Sequence, residues 1–267
     1  MEALGPKSDG SPCLKVEGVS RDFRVNGRRV PILEDITFMV AEGEVVALLG
    51  PSGCGKTTLL NIIAGFMPQS AGRVLMRGRP VNKPGPDRGV VFQEDALLPW
   101  LTVAENVGFG LRNGLGKGGR RAQVDHMLGL VGLGNYGDYL PRAISGGMKQ
   151  RVALARVLVL QPAALLMDEP FAALDALTRH QMHELLIALQ QQLRQTVVFV
   201  THDPEEAVKL ADRVLVMDKS PGRLRQEFTV DLPRPRQLDS AGFLELKRAV
   251  LASLGQRRAE APGPIPS

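Results

Sequence analysis

Apolar and polar positions alternate in two ways along the chain, and each spacing predicts a different kind of element. Short apolar runs bounded by Gly, Pro or Asp are typical of strands, whereas apolar residues three or four apart are typical of helices. A helix is predicted over residues 56–65, directly after a strand. Strands are predicted over residues 14–23, 32–40, 44–49, 72–77, 89–93, 164–168, 196–201 and 213–218.

The order of these elements predicts an α/β fold with three parts. The first two strands flank Asn26-Gly27, a dipeptide that favours a hairpin turn, so an antiparallel β region is expected at the N-terminal side. Alternation of strands and helices predicts a mainly parallel sheet covered by helices. Residues 97–160 are mostly helical, apart from a Gly-rich flexible loop predicted over residues 113–121, and are interpreted as an inserted helical subdomain.

Composition narrows the choice of partners only slightly. The 267 residues are 44% hydrophobic and 23% charged, with a formal net charge of +5. This mildly basic balance suits nucleotides, anionic lipids or nucleic acids and does not choose among them. An aromatic content of 4% argues against a base-stacking surface. Two cysteines are too few for a disulfide framework or a four-ligand zinc site.

The two ends of the chain differ in composition from the rest. Residues 1–13 are predicted to be a flexible tail, residues 14–232 one domain, and residues 233–267 an extension with a flexible end. The N-terminus lacks the apolar core of a secretory signal. The apolar region 152–167 is interrupted by polar residues and Pro162, so no membrane span is expected. These features favour a reducing cytoplasm.

A phosphate-binding loop is the clearest chemical signal. Residues 50–57 fit G-x-x-x-x-G-K-[ST] at every fixed position, between a predicted strand and a predicted helix. Its backbone N–H groups and the helix N-terminus would face phosphate oxygens. Cys54 is interpreted as a small residue tolerated in the loop rather than as a reactive thiol. The predicted ATP-binding residues here are Gly50, Pro51, Ser52, Gly53, Cys54, Gly55, Lys56, Thr57 and Thr58.

Two carboxylates follow an apolar strand further along the chain. Asp168 is placed to hold Mg²⁺, directly or through water, and Thr57 of the phosphate loop would supply a hydroxyl ligand. Glu169 is placed to orient or deprotonate an attacking water. Strands often end in acidic residues, so the pair is informative because a phosphate loop precedes it. Together the two motifs predict ATP hydrolysis.

Between these motifs, Ser145-Gly146-Gly147 opens a predicted helix. Ser145 can cap that helix, and the glycines leave backbone N–H groups open to an anion. Taken alone, the segment is better explained as an ordinary helix cap. Its place between the phosphate loop and Asp168-Glu169 makes it informative.

The three motifs resemble those of the ATPase subunits of ABC transporters, over residues 14–232. Residues 50–57 are similar to the Walker A motif and residues 165–169 to Walker B. Residues 144–148 resemble the signature Leu-Ser-Gly-Gly-Gln, with Ile144 and Met148 as departures. The resemblance implies a P-loop NTPase (RecA-like) core that uses ATP and Mg²⁺. It also implies a dimer in which one subunit's ATP is faced by the other's Ser145, Gly146, Gly147 and Met148.

The resemblance assigns roles to four further positions. Phe23 matches a ring that stacks on adenine, and Gln93 matches the Q-loop glutamine that contacts Mg²⁺ and reports to the membrane partner. Asp175 matches the D-loop at the dimer interface, and His202 the switch histidine that contacts the γ-phosphate. Singly, Phe23, Gln93 and His202 would be interpreted as structural; their shared order favours function. The implied catalytic residues are Glu169 and His202, and the implied Mg²⁺ ligands are Thr57, Gln93 and Asp168.

Several segments resemble importers of nitrate, taurine, alkanesulfonates and related small anions: residues 94–111, 145–156, 171–179 and 221–236. Importers of thiamine precursors and other heteroaromatic compounds share much of this pattern, which leaves the solute open. The implied partners are a second ATPase subunit in a homodimer, transmembrane permease subunits and an extracytoplasmic solute-binding protein, with no nucleic acid. The expected location is the cytoplasmic face of the inner (plasma) membrane, held there by the permease.

Some alternatives stay open on the sequence. An ABC ATPase acting on nucleic acid or the ribosome commonly has two ATPase units or a long coiled coil, and this sequence has neither. An ABC ATPase for lipid trafficking or export would carry nearly the same motifs. Trp100 is equally compatible with a permease contact and with the core of the helical subdomain. His180 and His183 are interpreted as part of a solvated helix face rather than a metal site.

Overall fold

The computed structural model describes residues 12–111, 116–219 and 221–255. The strands are β1 Leu14–Val25, β2 Arg28–Val40, β3 Val45–Leu49, β4 Ala71–Met76, β5 Arg79–Pro80, β6 Arg88–Val91, β7 Ala164–Asp168, β8 Thr196–Thr201, β9 Arg213–Met217 and β10 Leu224–Thr229. The helices are α1 Lys56–Ala64, α2 Val103–Gly108, α3 Gly116–Leu130, α4 Gly146–Leu158, α5 Ala176–Leu193, α6 Pro204–Leu210 and α7 Ala241–Gly255.

A six-stranded sheet forms the centre of the molecule, in the order β10-β9-β3-β8-β7-β6. All neighbouring pairs are parallel except β10, which runs antiparallel to β9. Both faces are buried, since Val45, Ala47 and Leu49 of β3 belong to one core and Val46 and Leu48 to another. A strand buried on both faces reads as a continuous apolar run, as β3, β7 and β8 do. The predicted parallel α/β core is confirmed.

A second sheet is antiparallel, with the order β2-β1-β4-β5. β1 and β2 are joined by the two-residue turn Asn26-Gly27, in which both residues have positive φ, 50° and 76°. That backbone suits the twist of a hairpin and explains the choice of Asn and Gly. Helix α1 contributes Leu59 and Ile63 to the core shared by the two sheets. The expected N-terminal antiparallel region is therefore present.

Helices α2, α3 and α4 occupy the region expected to be a helical subdomain. Thr102 caps α2 in a reciprocal capping box with Glu105. The predicted loop over residues 113–121 is wrong from residue 116 onward, because α3 begins there; residues 112–115 lie outside the described ranges. Arg120 donates to the carbonyl of Gly108 at 2.6 Å and Arg121 pairs with Asp125 one turn on, contacts that hold the first turns as helix.

The C-terminal region contains β10 and α7, neither of which the sequence predicted. Phe243 and Val250 of α7 are fully buried against the core that includes the face of the six-stranded sheet. The predicted tail over residues 1–13 falls outside the described residues as far as residue 11, and Cys13 is fully buried. The final residues, 256–267, are likewise outside them. No helix in the described ranges is long and apolar enough to cross a membrane.

Candidate functional site

Four parallel strands end side by side at one edge of the central sheet. Leu49, the last residue of β3, pairs with Thr201, the last residue of β8, so these ends are level. β7 lies beside β8, and β6 beside β7. Ligands of open α/β sheets bind beyond such carboxyl ends. The sheet thereby brings to one edge the phosphate loop after β3, His202 after β8, Glu169 after β7 and Gln93 just beyond β6.

The phosphate loop, residues 50–55, curls into the first turn of α1. Gly55 has a φ of 94°, and a Cβ there would lie 2.6 Å from Leu33 Cδ2, so the tight entry to the helix needs glycine. The Lys56 ammonium donates to the carbonyl oxygens of Gly50 at 2.7 Å and Pro51 at 3.1 Å. Its residue is 5% exposed. The lysine thus lies inside its own loop.

Cys54 faces inward from the same loop and is 1% exposed. Burial raises the pKa of its thiol, although the nearby Lys56 ammonium opposes the shift. A thiol with a raised pKa is a poor nucleophile near neutral pH. This environment agrees with the interpretation of Cys54 as a small packing residue. The neighbouring Ser52 and Gly53 are exposed, while Thr58 is half-buried in α1.

Thr57 and Asp168 meet across the gap between the loop and β7. The Thr57 hydroxyl donates to Asp168 Oδ1 at 3.0 Å. Burial raises the pKa of the Asp168 carboxyl; the hydrogen bond from Thr57 opposes that shift, and the charge of Glu169 adds to it. Hydroxyl and carboxylate oxygens are ligands that Mg²⁺ prefers, and a cation would offset the cost of this partly buried charge. The two side chains therefore fit a magnesium ion.

Glu169 and His202 form a pair at the ends of β7 and β8. Glu169 Oε2 lies 3.1 Å from His202 Nδ1, and the His202 side chain is 58% exposed. Glu169 has a φ of 44°, an unusual backbone for a residue with a side chain, and its N–H donates to the carbonyl of Val200. Strained backbone of this kind concentrates at functional sites. A carboxylate and an imidazole are thus held together at the solvent-facing edge.

The segment 144–148 lies at the start of α4. Ser145 caps the helix, because its Oγ accepts a hydrogen bond from the Met148 N–H at 3.3 Å, and its residue is exposed together with Gly146. Ile144 is 8% exposed, and the half-buried Met148 packs against the core. The two departures from the signature therefore sit where apolar contacts are made. The Ser-Gly part faces solvent.

The three other predicted residues have distinct surroundings. Phe23 is half-buried on β1, with the Arg21 guanidinium 4.8 Å from its ring centroid. Gln93 is exposed after β6, and its carbonyl accepts from Gln150 Nε2 at 3.2 Å. Asp175 is exposed and caps α5 by accepting from two backbone N–H groups. Each of these side chains is accessible enough to meet a ligand or a partner.

Comparison with known proteins bears on this site. The ABC transporter family matches residues 33–172. The chain is 48% identical over 222 residues to the taurine import ATP-binding protein TauB of Pseudomonas aeruginosa, covering 83% of this chain and 84% of that protein. It is 42% identical over 259 residues to the nitrate transport protein NasD of Klebsiella oxytoca, covering 94% and 99%. The chain belongs to the ABC transporter family.

A solved structure extends the ABC comparison to three dimensions. The ATP-binding cassette MJ0796, in a dimeric post-hydrolysis state bound to ADP and Pi, is 31% identical, with a TM-score of 0.70 over 81% of this chain and 98% of that one. The present protein is accordingly an ATP-binding subunit of an ABC transporter and an ATPase.

Two polar residues of this ABC subunit that the sequence reasoning passed over join α4 to the segment after β6. Gln150 is 7% exposed and holds the Gln93 carbonyl. Arg156 donates to the carbonyls of Ala96 at 2.9 Å and Asp95 at 3.3 Å. The start of α4 and the Gln93 segment are thus braced together. The signal available in the sequence was a glutamine and an arginine, Gln150 and Arg156, within the largely apolar stretch of α4.

Gly222 is a third residue whose role only the ABC subunit's structure reveals. Its N–H donates to the Ile32 carbonyl at 2.8 Å, and its carbonyl accepts from the Glu34 N–H. A Cβ at this position would lie 2.1 Å from the Cys54 carbonyl oxygen. Glycine is therefore required where β2, the phosphate loop and the chain after β9 come together.

Two other expectations were settled by burial. Trp100 is 72% exposed, so it does not form the core of the helical subdomain. The interpretation of His180 and His183 as a solvated face holds for His180 and is wrong for His183, which is 6% exposed. His183 is buried because α6 packs over that side of α5 and presents Glu206 to it.

Proposed function

We propose that this ATPase subunit works as a homodimer that drives import of a small anion, such as nitrate, taurine or an alkanesulfonate, through a separate permease. The observation that supports it best is the similarity to TauB and NasD over most of the chain. Those proteins are named for taurine import and nitrate transport. The mildly basic charge of the chain does not bear on the solute, which the ATPase subunit does not touch.

In the proposed site, ATP binds where the phosphate loop meets α1. Lys56 already points along the loop toward the carbonyls of Gly50 and Pro51. It would exchange these neutral acceptors for phosphate oxygens, which bind an ammonium more strongly. Phe23 would stack on adenine with the ring face that Arg21 leaves open. Ser145, Gly146, Gly147 and Met148 of the partner subunit would complete the site.

Hydrolysis is assigned to the pair at the strand ends. Thr57, Asp168 and Gln93 would hold Mg²⁺, which neutralises phosphate charge when bound. Glu169 would orient the attacking water and accept its proton, because a carboxylate within hydrogen-bond reach can act as a general base. His202, 3.1 Å from that carboxylate, would contact the γ-phosphate and keep Glu169 in place. Asp175 would lie at the dimer interface.

The permease is proposed to dock beside Gln93. Phe92 is 44% exposed and stacks on Phe66, with ring centroids 6.1 Å apart, and Trp100 is more exposed still. Exposed aromatic side chains are enriched at protein interfaces. This contact would hold the ATPase at the cytoplasmic face of the inner (plasma) membrane. An extracytoplasmic binding protein would deliver the solute, and no nucleic acid partner is proposed.

A complementation experiment tests the shared site. Lys56→Ala damages the phosphate loop and Ser145→Arg damages the segment facing the partner's ATP, so each homodimer should be inactive. A mixed dimer retains one intact site, built from Lys56 of one chain and Ser145 of the other. Mixing the two variants should therefore restore part of the ATPase rate. If the mixture stays as inactive as its components at all ratios, the shared site is wrong.

A second experiment tests the transported solute. The host would carry Glu169→Gln at the native locus, and uptake of labelled taurine, an alkanesulfonate and nitrate would be measured. Uptake of one of these anions should be lost, whereas the surface variant Glu245→Gln, an exposed carboxylate on α7, should behave as wild type. Unchanged uptake of all three anions would overturn the small-anion proposal and leave the ATPase assignment standing.

A further inference from the structure

A buried polar cluster lies directly behind the Glu169–His202 pair. His183 on α5 and Glu206 on α6 are 6% and 8% exposed, with His183 Nε2 3.5 Å from Glu206 Oε1. The other carboxylate oxygen of Glu206 accepts from the Thr201 hydroxyl at 2.7 Å. Thr201 Oγ1 in turn accepts from the Asp203 N–H at 3.0 Å. Three side chains from α5, α6 and β8 thus meet away from solvent.

One side of this cluster fixes the backbone around His202. Thr201 precedes His202 and Asp203 follows it, and the Thr201 hydroxyl bonds to both Glu206 and the Asp203 N–H. Asp203 also caps α6 by accepting from the Glu205 N–H at 2.8 Å. The residues on both sides of His202 are therefore tied to one buried carboxylate. Where the imidazole points depends on this arrangement.

The other side of the cluster reaches toward Glu169. The ring of Phe171 meets His183 edge to face, with centroids 4.6 Å apart, and Phe171 is 1% exposed. Phe171 lies two residues after Glu169 in the chain, so its anchorage limits how the Glu169 backbone can move. His183 is thus in contact with a neighbour of Glu169 and with the carboxylate that organises the neighbours of His202.

Glu206 stays charged in this setting. Burial favours its neutral form, but the neighbouring His183 and the hydrogen bond from Thr201 outweigh burial and hold the pKa of the carboxyl below its usual range. A buried charge adds little net stability, and a polar network of this kind can instead select one arrangement of the elements it joins. Nearby, Lys209 pairs with Glu184 at 3.0 Å, which adds a second link between α6 and α5.

We propose that His183 and Glu206 are positioning residues that hold Glu169 and His202 in register for ATP hydrolysis. They touch neither ATP nor the attacking water and act through Phe171 and Thr201. Because Asp175 caps the start of α5, the cluster also links the helix that follows the D-loop to the loop that carries His202. The inference rests on the proposed roles of Glu169 and His202 in hydrolysis.

The test separates kcat from nucleotide binding in the purified full-length subunit. His183→Leu and Glu206→Gln should lower the kcat for ATP by roughly 10- to 100-fold, the range for losing residues that orient a catalytic group. The Kd for ATP should change by less than about two-fold, because neither residue touches the nucleotide. His183→Gln should recover most of the rate, because its amide keeps a polar N–H group on α5 that can face Glu206. His126→Leu, an exposed histidine on α3, should match wild type.

A second pair of variants guards against misfolding. Thr201→Val keeps the shape of the side chain but removes the hydroxyl, whereas Thr201→Ser keeps the hydroxyl; only the first should lose kcat while melting temperatures stay close. Unchanged kcat in His183→Leu, Glu206→Gln and Thr201→Val would overturn the inference. Glu169→Gln and His202→Ala serve as references: if they hydrolyse ATP normally, the proposed catalytic roles fail instead.

Discussion

The phosphate-loop edge and the start of α4 carry the two halves of the proposed nucleotide site, and they are built in opposite ways. At the loop, Lys56 and Cys54 are buried, and Thr57 is hydrogen-bonded to Asp168. At α4, Ser145 and Gly146 are exposed, and the Ser145 hydroxyl accepts a single backbone N–H of its own helix. One half is held together by contacts within the chain. The other offers its donors outward.

This difference teaches where each half finds its ligand. The loop is preorganised by its own chain, so we expect a single subunit to bind a nucleotide there. A helix N-terminus is a suitable place for an anion, and the exposed start of α4 would meet one supplied from outside the chain. In the proposed mechanism, a hydrolytic site with both parts therefore requires a second copy.

The largest expected effect is on the catalytic side of the first half. Glu169→Gln should lower ATP turnover by roughly 10²- to 10⁴-fold, the usual contribution of a general base, because the amide cannot accept the proton of water. ATP binding should persist, and the ATP-bound dimer should accumulate. Turnover assays and light scattering with ATP measure the two effects. Wild-type turnover in this variant would remove Glu169 from the mechanism.

Ser145→Arg tests the second half. The long side chain should block the face offered to the partner's ATP, and turnover should fall by roughly 10²- to 10³-fold, comparable to loss of a preorganised donor. Nucleotide affinity of the monomer should stay near wild type, as measured by fluorescent nucleotide titration. If the Ser145→Arg monomer no longer bound nucleotide, the start of α4 would belong to the same subunit's site, which contradicts the division into two halves.

Lys56→Ala tests the first half from the binding side. Hydrogen bonds to charged groups are worth about 1.5–3 kcal/mol, so affinity for ATP should weaken by roughly 10- to 100-fold. The exposed Lys83 provides a control in Lys83→Ala, which should bind as wild type. Calorimetry on each variant gives the comparison. Equal affinity in Lys56→Ala and Lys83→Ala would contradict the placement of ATP at the loop.

The smallest expected effect is a difference in the alkylation rate of a thiol placed in each half. Burial raises the pKa of Cys54, so its thiolate is scarce at neutral pH and becomes common only as pH rises above the ordinary range of a thiol. Alkylation of Cys54 at pH 7 should be slow and should accelerate with pH. A thiol introduced by Ser145→Cys should react at least ~10-fold faster, because the position is exposed at a helix N-terminus. Site-resolved mass spectrometry distinguishes the two, and equal rates would oppose the contrast.

Much of the fold could be predicted because the central strands are continuous apolar runs in the sequence. Strands β7 and β8 match their predicted bounds, since each is an apolar run buried on both faces and ended by a polar residue. The site at the sheet edge followed from the same logic. α7 escaped prediction because its helical character depends on burying Phe243 and Val250 against residues far away in the chain. His183 escaped for the same reason, because its partner Glu206 comes from another helix.

Arg236 lies beyond the predicted domain boundary at residue 232 and yet contacts the core of the domain. Its guanidinium, with a side chain 2% exposed, donates to the carbonyls of Val208, Lys209 and Ala211 at the end of α6. Burial, reinforced by the charge of Arg234, lowers its pKa to about 10, which still leaves it protonated at neutral pH. A chain cut at residue 232 would keep the Walker A, Walker B and signature motifs but would lose the Arg236 contacts to the carbonyls at the end of α6, the helix that follows His202. The folded domain therefore extends further along the chain than the segment that carries the three motifs.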